Sequence, residues 1–244
     1  MDAQRTNCRV TARKSIAKPV ILVLVLSLLV TFLWRVLKTG DSDDPAYGGK
    51  KLSQWLVEVD YGQPEATRKA AREAIQHTGT NALPLLMKQF QSSGSRFQSY
   101  LNTVFAKIPR LKFRFATADD RIRRATWGID ALGPIAKPAI PELRGLLLSR
   151  PGYVPAALAG IGPDAVPALH ECLTNNTMFF IPGNTIGAIH NAINRGKLAA
   201  SYAEVFLPDT LRWAASTNTH AAWYATNFLN QFSSASLTNA GGNP

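Results

Sequence analysis

The chain has 244 residues, 46% of them hydrophobic and 18% charged, and Lys and Arg exceed Asp and Glu by 11. That balance excludes a fully disordered chain, two cysteines exclude a disulfide-dense scaffold, and a mean hydropathy of −0.05 excludes a polytopic membrane protein. The charge is local: residues 1–18 carry a net +4 and residues 96–124 a net +6, whereas a nucleic-acid-binding chain spreads it along one functional face.

Residues 1–18 read as a basic cytoplasmic tail. From Pro19 to Trp34 no residue is charged, and Val36 and Leu37 continue the apolar run past Arg35. A bilayer core takes roughly 17–25 apolar residues in a helix, so 19–38 is expected to be a single transmembrane anchor. Arg35 snorkels and Trp34 lies at the interface. The competing reading is a cleaved signal peptide. It needs a small-x-small site, and the residues after Leu33 (Trp-Arg-Val-Leu-Lys-Thr-Gly-Asp) supply none. The Lys/Arg excess keeps the N-terminal side cytoplasmic, which puts the body outside the cytoplasm, in the periplasm if the source is bacterial. Cys8 and Cys172 then lie on opposite sides and cannot pair.

Thr39 to Gly49 is rich in Gly, Ser, Asp and Pro, a linker over 39–50. Leu52, Trp55, Leu56 and Val59 then fall at i, i+3, i+4 and i+7, one apolar helical stripe. Pro64 suits a helix start. Ala66, Ala70, Ala71, Ala74 and Ile75 make a second helix, which stops near Gly79.

From here a pattern recurs. Residues 74–86 and 157–169 share Ala-apolar-x3-Gly-x2-Ala-apolar-Pro-x-Leu in one register, around Gly79 and Gly162. A middle copy follows Gly133 and Ala136 and carries three extra residues before Ala139-Ile-Pro-Glu-Leu143. Each unit predicts a helix ended by a Gly at positive φ, a short turn, and a second helix with Pro84 or Pro167 in its first turn. One such pair cannot bury its stripe alone, so neighbours must stack.

The Gly79, Gly133 and Gly162 turns, with the Ala-apolar-Pro-x-Leu segments after them, resemble HEAT repeats, most closely the short units of the phycobilisome-lyase type. The resemblance covers roughly residues 51–194 in pieces. It implies an all-α chain, an α-solenoid over 51–232, and a non-catalytic scaffold or adaptor that binds another protein. The alternative it implies is an enzyme or chaperone of the bilin-lyase type.

A long insertion, roughly 91–120, separates the first two turns. Phe97, Tyr100, Leu101, Val104, Phe105 and Ile108 keep a helical stripe up to Pro109. Leu111 to Phe115 alternates apolar and basic residues. Thr117-Ala-Asp-Asp120 reads as a capping box. Past the third copy, Ile186, Ile189 and Ile193 form another stripe, and residues 211–232 read as degenerate terminal units. Residues 233–244 are a polar tail.

No constellation for chemistry emerges. The four histidines lack helical i, i+4 spacing, and His170 and Cys172, two apart, point away from each other. Gly160-Ile-Gly162 is a repeat turn rather than a dinucleotide motif. Asp119 and Asp120 fit helix capping. Trp55, Trp127, Trp213 and Trp223 lie on apolar stripes and read as core. No cofactor, metal or nucleic acid is expected. The basic insertion is the expected contact surface, because solenoid insertions gather on one face and Arg and aromatic residues dominate interface hot spots. Arg110, Lys112, Arg114, Arg121 and Arg124 are its candidate residues, facing an acidic protein partner or anionic lipid.

Overall fold

The computed structural model describes residues 27–28, 30–31, 44–60, 62–107, 115–174 and 178–240, with side chains to 232. Residues 1–42 and 43–244 form two separate units. In the first, Ser27, Leu28, Val30 and Thr31 are helical, and the Thr31 hydroxyl donates to the Ser27 carbonyl at 2.8 Å. The rest of the expected anchor, 19–38, lies outside the described residues. Among the described residues no helix is long and apolar enough to cross a membrane.

Among its described residues the second unit is all-α apart from one hairpin. Within the expected linker, β1 (Ala46–Tyr47) pairs antiparallel with β2 (Lys50–Lys51) around Gly48 and Gly49, both at positive φ. Glycine permits that turn. The Trp55 indole donates to the Tyr47 carbonyl at 3.0 Å, and the Tyr47 ring stacks on His77 at 4.8 Å. These two contacts tie the hairpin to the helices that carry Trp55 and His77.

The helices follow the apolar stripes. α1 (Leu52–Glu58) and α2 (Glu65–Thr78) are followed by a 3-10 turn at Gly79–Ala82 and α3 (Leu83–Phe90). α4 (Arg96–Ala106) opens the insertion. Next come α5 (Ala118–Leu132), a 3-10 run at Gly133–Ala139 and α6 (Ile140–Gly145). α7 (Val154–Ile161), a 3-10 turn at Pro163–Ala165 and α8 (Val166–Thr174) repeat the pattern. α9 (Ile181–Asn194), α10 (Tyr202–Ala214) and α11 (Thr219–Ala240) complete it.

The three recurring glycines are three equivalent joints. Gly79, Gly133 and Gly162 have φ of 62°, 58° and 100° with ψ of −145°, −130° and −148°. This region of backbone space is essentially reserved for glycine. The middle copy's three extra residues go into its 3-10 run, seven residues long against four after Thr78. Pro84 and Pro167 stand at the second position of α3 and α8, where no amide donor is needed.

Packing gives two rows. α2, α5, α7, α9 and α11 lie side by side in that order, and the second row holds α3, α6, α8 and α10. The three joints stack against one another along one edge. The core between the rows is built from Leu56, Ile75, Leu86, Ile129, Leu158, Leu169, Ile189 and Phe206, all essentially inaccessible. Small residues set the spacing: a Cβ on Gly128 would lie 2.6 Å from Leu86 Cδ2 and 2.7 Å from Leu56 Cδ2.

α4 departs from this plan. Its helical stripe exists, but no residue of it is buried, and Phe97 and Tyr100 are exposed. Its described ties are one ring contact, Phe105 on Phe115 at 5.9 Å, and a few polar ones. Asn102 exchanges two hydrogen bonds with the Phe115 backbone, and Gln98 accepts from Arg121 at 3.3 Å.

Candidate binding groove

The helices of the first row present one outward face, and two cavities open on it. One, of about 260 Å³, is lined by Trp127 and Asp130 of α5, Ala156 of α7 and Ala188, Asn191 and Arg195 from the α9 segment. The other, of about 510 Å³, lies between α9 and α11, with Gly187, His190, Trp223, Tyr224 and Asn227 in its wall. Asn191 lines both, so the two adjoin. The floor is made of small residues. A Cβ on Gly187 would lie 2.7 Å from the Tyr224 ring, so the missing side chain is what seats that tyrosine.

The carboxylate beside the smaller cavity is compensated in place. Asp130 is only 8% exposed. Its Oδ2 accepts from Arg195 Nη1 at 2.9 Å, and its backbone carbonyl accepts from Lys197 Nζ at 2.7 Å. Lys197 therefore caps the C-terminal end of α5, where a cation is favoured by the helix dipole. Burial holds its amine below the usual lysine range, and Asp130 works against that shift. The other carboxylate oxygen of Asp130 is buried with no hydrogen-bond partner and rests against Gly160.

Aromatic rings continue the face. Phe179 and Phe180 meet edge to face at 5.2 Å, Phe180 meets His220 at 5.2 Å, His220 meets Tyr224 at 5.1 Å, and Tyr224 meets Trp223 at 4.8 Å. Phe179 and Phe180 are half exposed and Trp223 is 64% exposed. The core reading of Trp223 is thereby corrected. On α11 the buried stripe is Ala221, Ala225 and Phe228, and position 223 is turned away from it. Trp55, Trp127 and Trp213 do pack against the core, each half-buried. His190 and Gln231 hydrogen-bond each other, and Gln231 donates to Asn194 at 2.7 Å. Among the described residues the carboxamides of Asn191 and Asn227 have no side-chain partner.

The other residues singled out in the sequence are more dispersed. Arg110, Lys112 and Arg114 lie outside the described residues. Arg121 and Arg124 are half-buried on α5, Arg121 donating to Gln98. Asp120 caps α5 through the Thr117 box and pairs with Arg123 at 2.9 Å, as the capping reading expects. Arg123 also lies 5.4 Å over the Trp127 ring. His170 pairs with Asp209 at 3.0 Å, while Cys172 is buried and its thiol is pushed up to about 12 by desolvation. Among the described residues no three His, Cys, Asp or Glu side chains converge on a metal position. A third hollow, beside Ser92–Gly94, is lined by Arg150, whose guanidinium donates to the Phe90, Ser92 and Ser149 carbonyls. Tyr153 there donates to Asp119.

Local spacing could have exposed Trp223 but not the Asp130–Arg195 pair, whose partners are 65 residues apart. Comparison with known proteins adds no assignment: no protein-family model, no curated protein and no solved structure matches the chain.

Proposed function

We propose that this protein is a HEAT-like helical scaffold, held to a membrane by residues 19–38, that binds another protein through the face formed by α5, α7, α9 and α11. The observation that carries the reading is the run of rings from Phe179 to Trp223, half or more exposed at both ends. Exposed contiguous aromatic surface marks interaction sites, and Trp and Tyr lead the residues that supply interface energy. The stacked glycine joints support the HEAT-like part. The uncharged window supports the anchor. Arg110, Lys112 and Arg114 provide a second, electrostatic contact to an acidic partner or to anionic lipid heads, each basic residue near such a surface contributing about 1 kcal/mol.

The test is affinity capture of the full chain from detergent-solubilised membranes. Wild type is expected to retain a specific protein that Phe179→Ala/Trp223→Ala does not, with both chains melting alike. Capture indifferent to that pair removes this face from the proposal. For the anchor, carbonate washing and intact-mass analysis are expected to find the whole chain in the membrane fraction. A soluble species lacking about 30–40 residues would establish cleavage instead.

A further inference from the structure

We propose that the groove between α9 and α11 is a carbohydrate site that takes a neutral sugar chain. The inference rests on the preceding reading only in using the same face, and it narrows what that face recognises.

Charge comes first. The chain carries +11, yet no lysine, arginine, aspartate or glutamate lines the groove between α9 and α11. Its polar groups are three carboxamides, the His190 imidazole, the Tyr224 phenol and the Trp223 indole N–H. A phosphate or carboxylate ligand would find no lysine or arginine in this wall to match it, and burying a charge unpaired is costly. A cation would find no unpaired anion open to it. The ligand that fits is uncharged.

Shape and chemistry then select among uncharged ligands. The walls carry flat rings, with Trp223 64% exposed and Tyr224 held beside it at 4.8 Å. A pyranose has one face of C–H bonds, which stacks on an indole, and a rim of hydroxyls, each both donor and acceptor. A primary carboxamide is likewise donor and acceptor at once. Asn191 and Asn227 are two such groups, opening on the groove with no side-chain partner among the described residues. Stacking rings, free carboxamides and no net charge together match a polyhydroxylated ring. The chain could be a free polysaccharide or a glycan carried on a protein, and the chemistry is the same.

The experiment titrates the full chain in detergent with cellohexaose, N-acetylchitohexaose and maltohexaose, reading tryptophan emission and heat. Binding to at least one is expected, saturable and insensitive to salt. Trp223→Ala is expected to weaken it about tenfold, the loss of one stacked ring, Trp223→Phe to retain most of it, and Asn227→Ala to weaken it with unchanged melting. Binding by a protein-linked glycan is then distinguished by whether enzymatic deglycosylation of a captured partner releases it. No response to any of the three sugars overturns the inference, as does binding confined to dextran sulfate that fades with salt. In either case the scaffold reading survives if protein capture still requires Trp223. If a sugar binds and no protein is captured, the scaffold reading fails and this one stands.

Discussion

Asp130 and Gly160 touch where α5 packs on α7. A Cβ built on Gly160 would lie 2.8 Å from Asp130 Cα and 2.9 Å from its Oδ1, distances that real side chains do not occupy. The obstructing atoms include backbone, which cannot rotate aside. Gly160→Ala is therefore expected to cost about 1–3 kcal/mol by overpacking. Gly145→Ala is the control, since nothing lies within 4 Å of a Cβ there, and a helical Gly→Ala change is neutral or stabilising by up to about 1 kcal/mol. Thermal melts of the two variants should move in opposite directions or differ by several degrees; equal melts would mean the seam is looser than described.

The joint glycines make a separate case, because at Gly79 space is not the issue. Nothing lies within 4 Å of a Cβ there, yet φ is 62° and ψ −145°. Gly79→Ala should lose about 1–3 kcal/mol through backbone strain alone. Gly62→Ala, equally open and not at positive φ, should change little. Urea titrations should show the first variant's midpoint falling with an unchanged slope.

These two glycines also mark where the sequence was informative. Gly79, Gly133 and Gly162 could be read directly, because a positive-φ stop followed by Ala-apolar-Pro leaves a fixed local signature. The helical stripes were legible for the same reason: burial repeats every three or four residues. What escaped was non-local. Asp130 meets Arg195 and Lys197 only because α7 and α9 stack beside α5. Gly160 read as part of a turn, whereas its missing side chain makes room for Asp130. Trp223 read as core because an aromatic beside Tyr224 in an apolar run says little about which side the neighbouring helix covers. On α4 an amphipathic pattern was present without a partner surface to bury it.

Alkaline pH should expose Tyr153. Burial, reinforced by its hydrogen bond to Asp119, raises the phenol from 10.0 to about 12. Between those values the unfolded chain has lost the proton that the native chain keeps. Stability must then fall as pH rises through the window, the contribution being fully present below pH 10. Cys172 acts in the same direction from 9.0 to about 12. Lys197 acts oppositely, since its folded pKa lies below 10.5. The usable quantity is the difference between wild type and Tyr153→Phe in urea unfolding. It should shrink steadily from pH 9.5 to 11.5, and a constant difference would place Tyr153 outside the titration.

The buried pair beside the smaller cavity gives the last prediction. Asp130 is almost inaccessible, one of its oxygens already lacks a hydrogen-bond partner, and Arg195 is its only ion-pair partner among the described residues. Removing one member of a buried pair leaves an uncompensated charge, at a cost of about 3–5 kcal/mol when both partners are fully buried. The Arg195 side chain is 36% exposed, and water admitted at its position would solvate part of the carboxylate. Arg195→Met should therefore lose less, roughly 1–3 kcal/mol. Asp130→Asn keeps the shape and removes the charge, and Arg195, nearer solvent, tolerates being alone better than Asp130 does. The asparagine variant should thus be the milder of the two. The double variant should be more stable than the sum of the single losses by about 0.5–3 kcal/mol, since the two side chains share one contact. Chemical unfolding of all four proteins closes the cycle. Strict additivity would mean that Lys197, rather than Arg195, supplies the compensating charge.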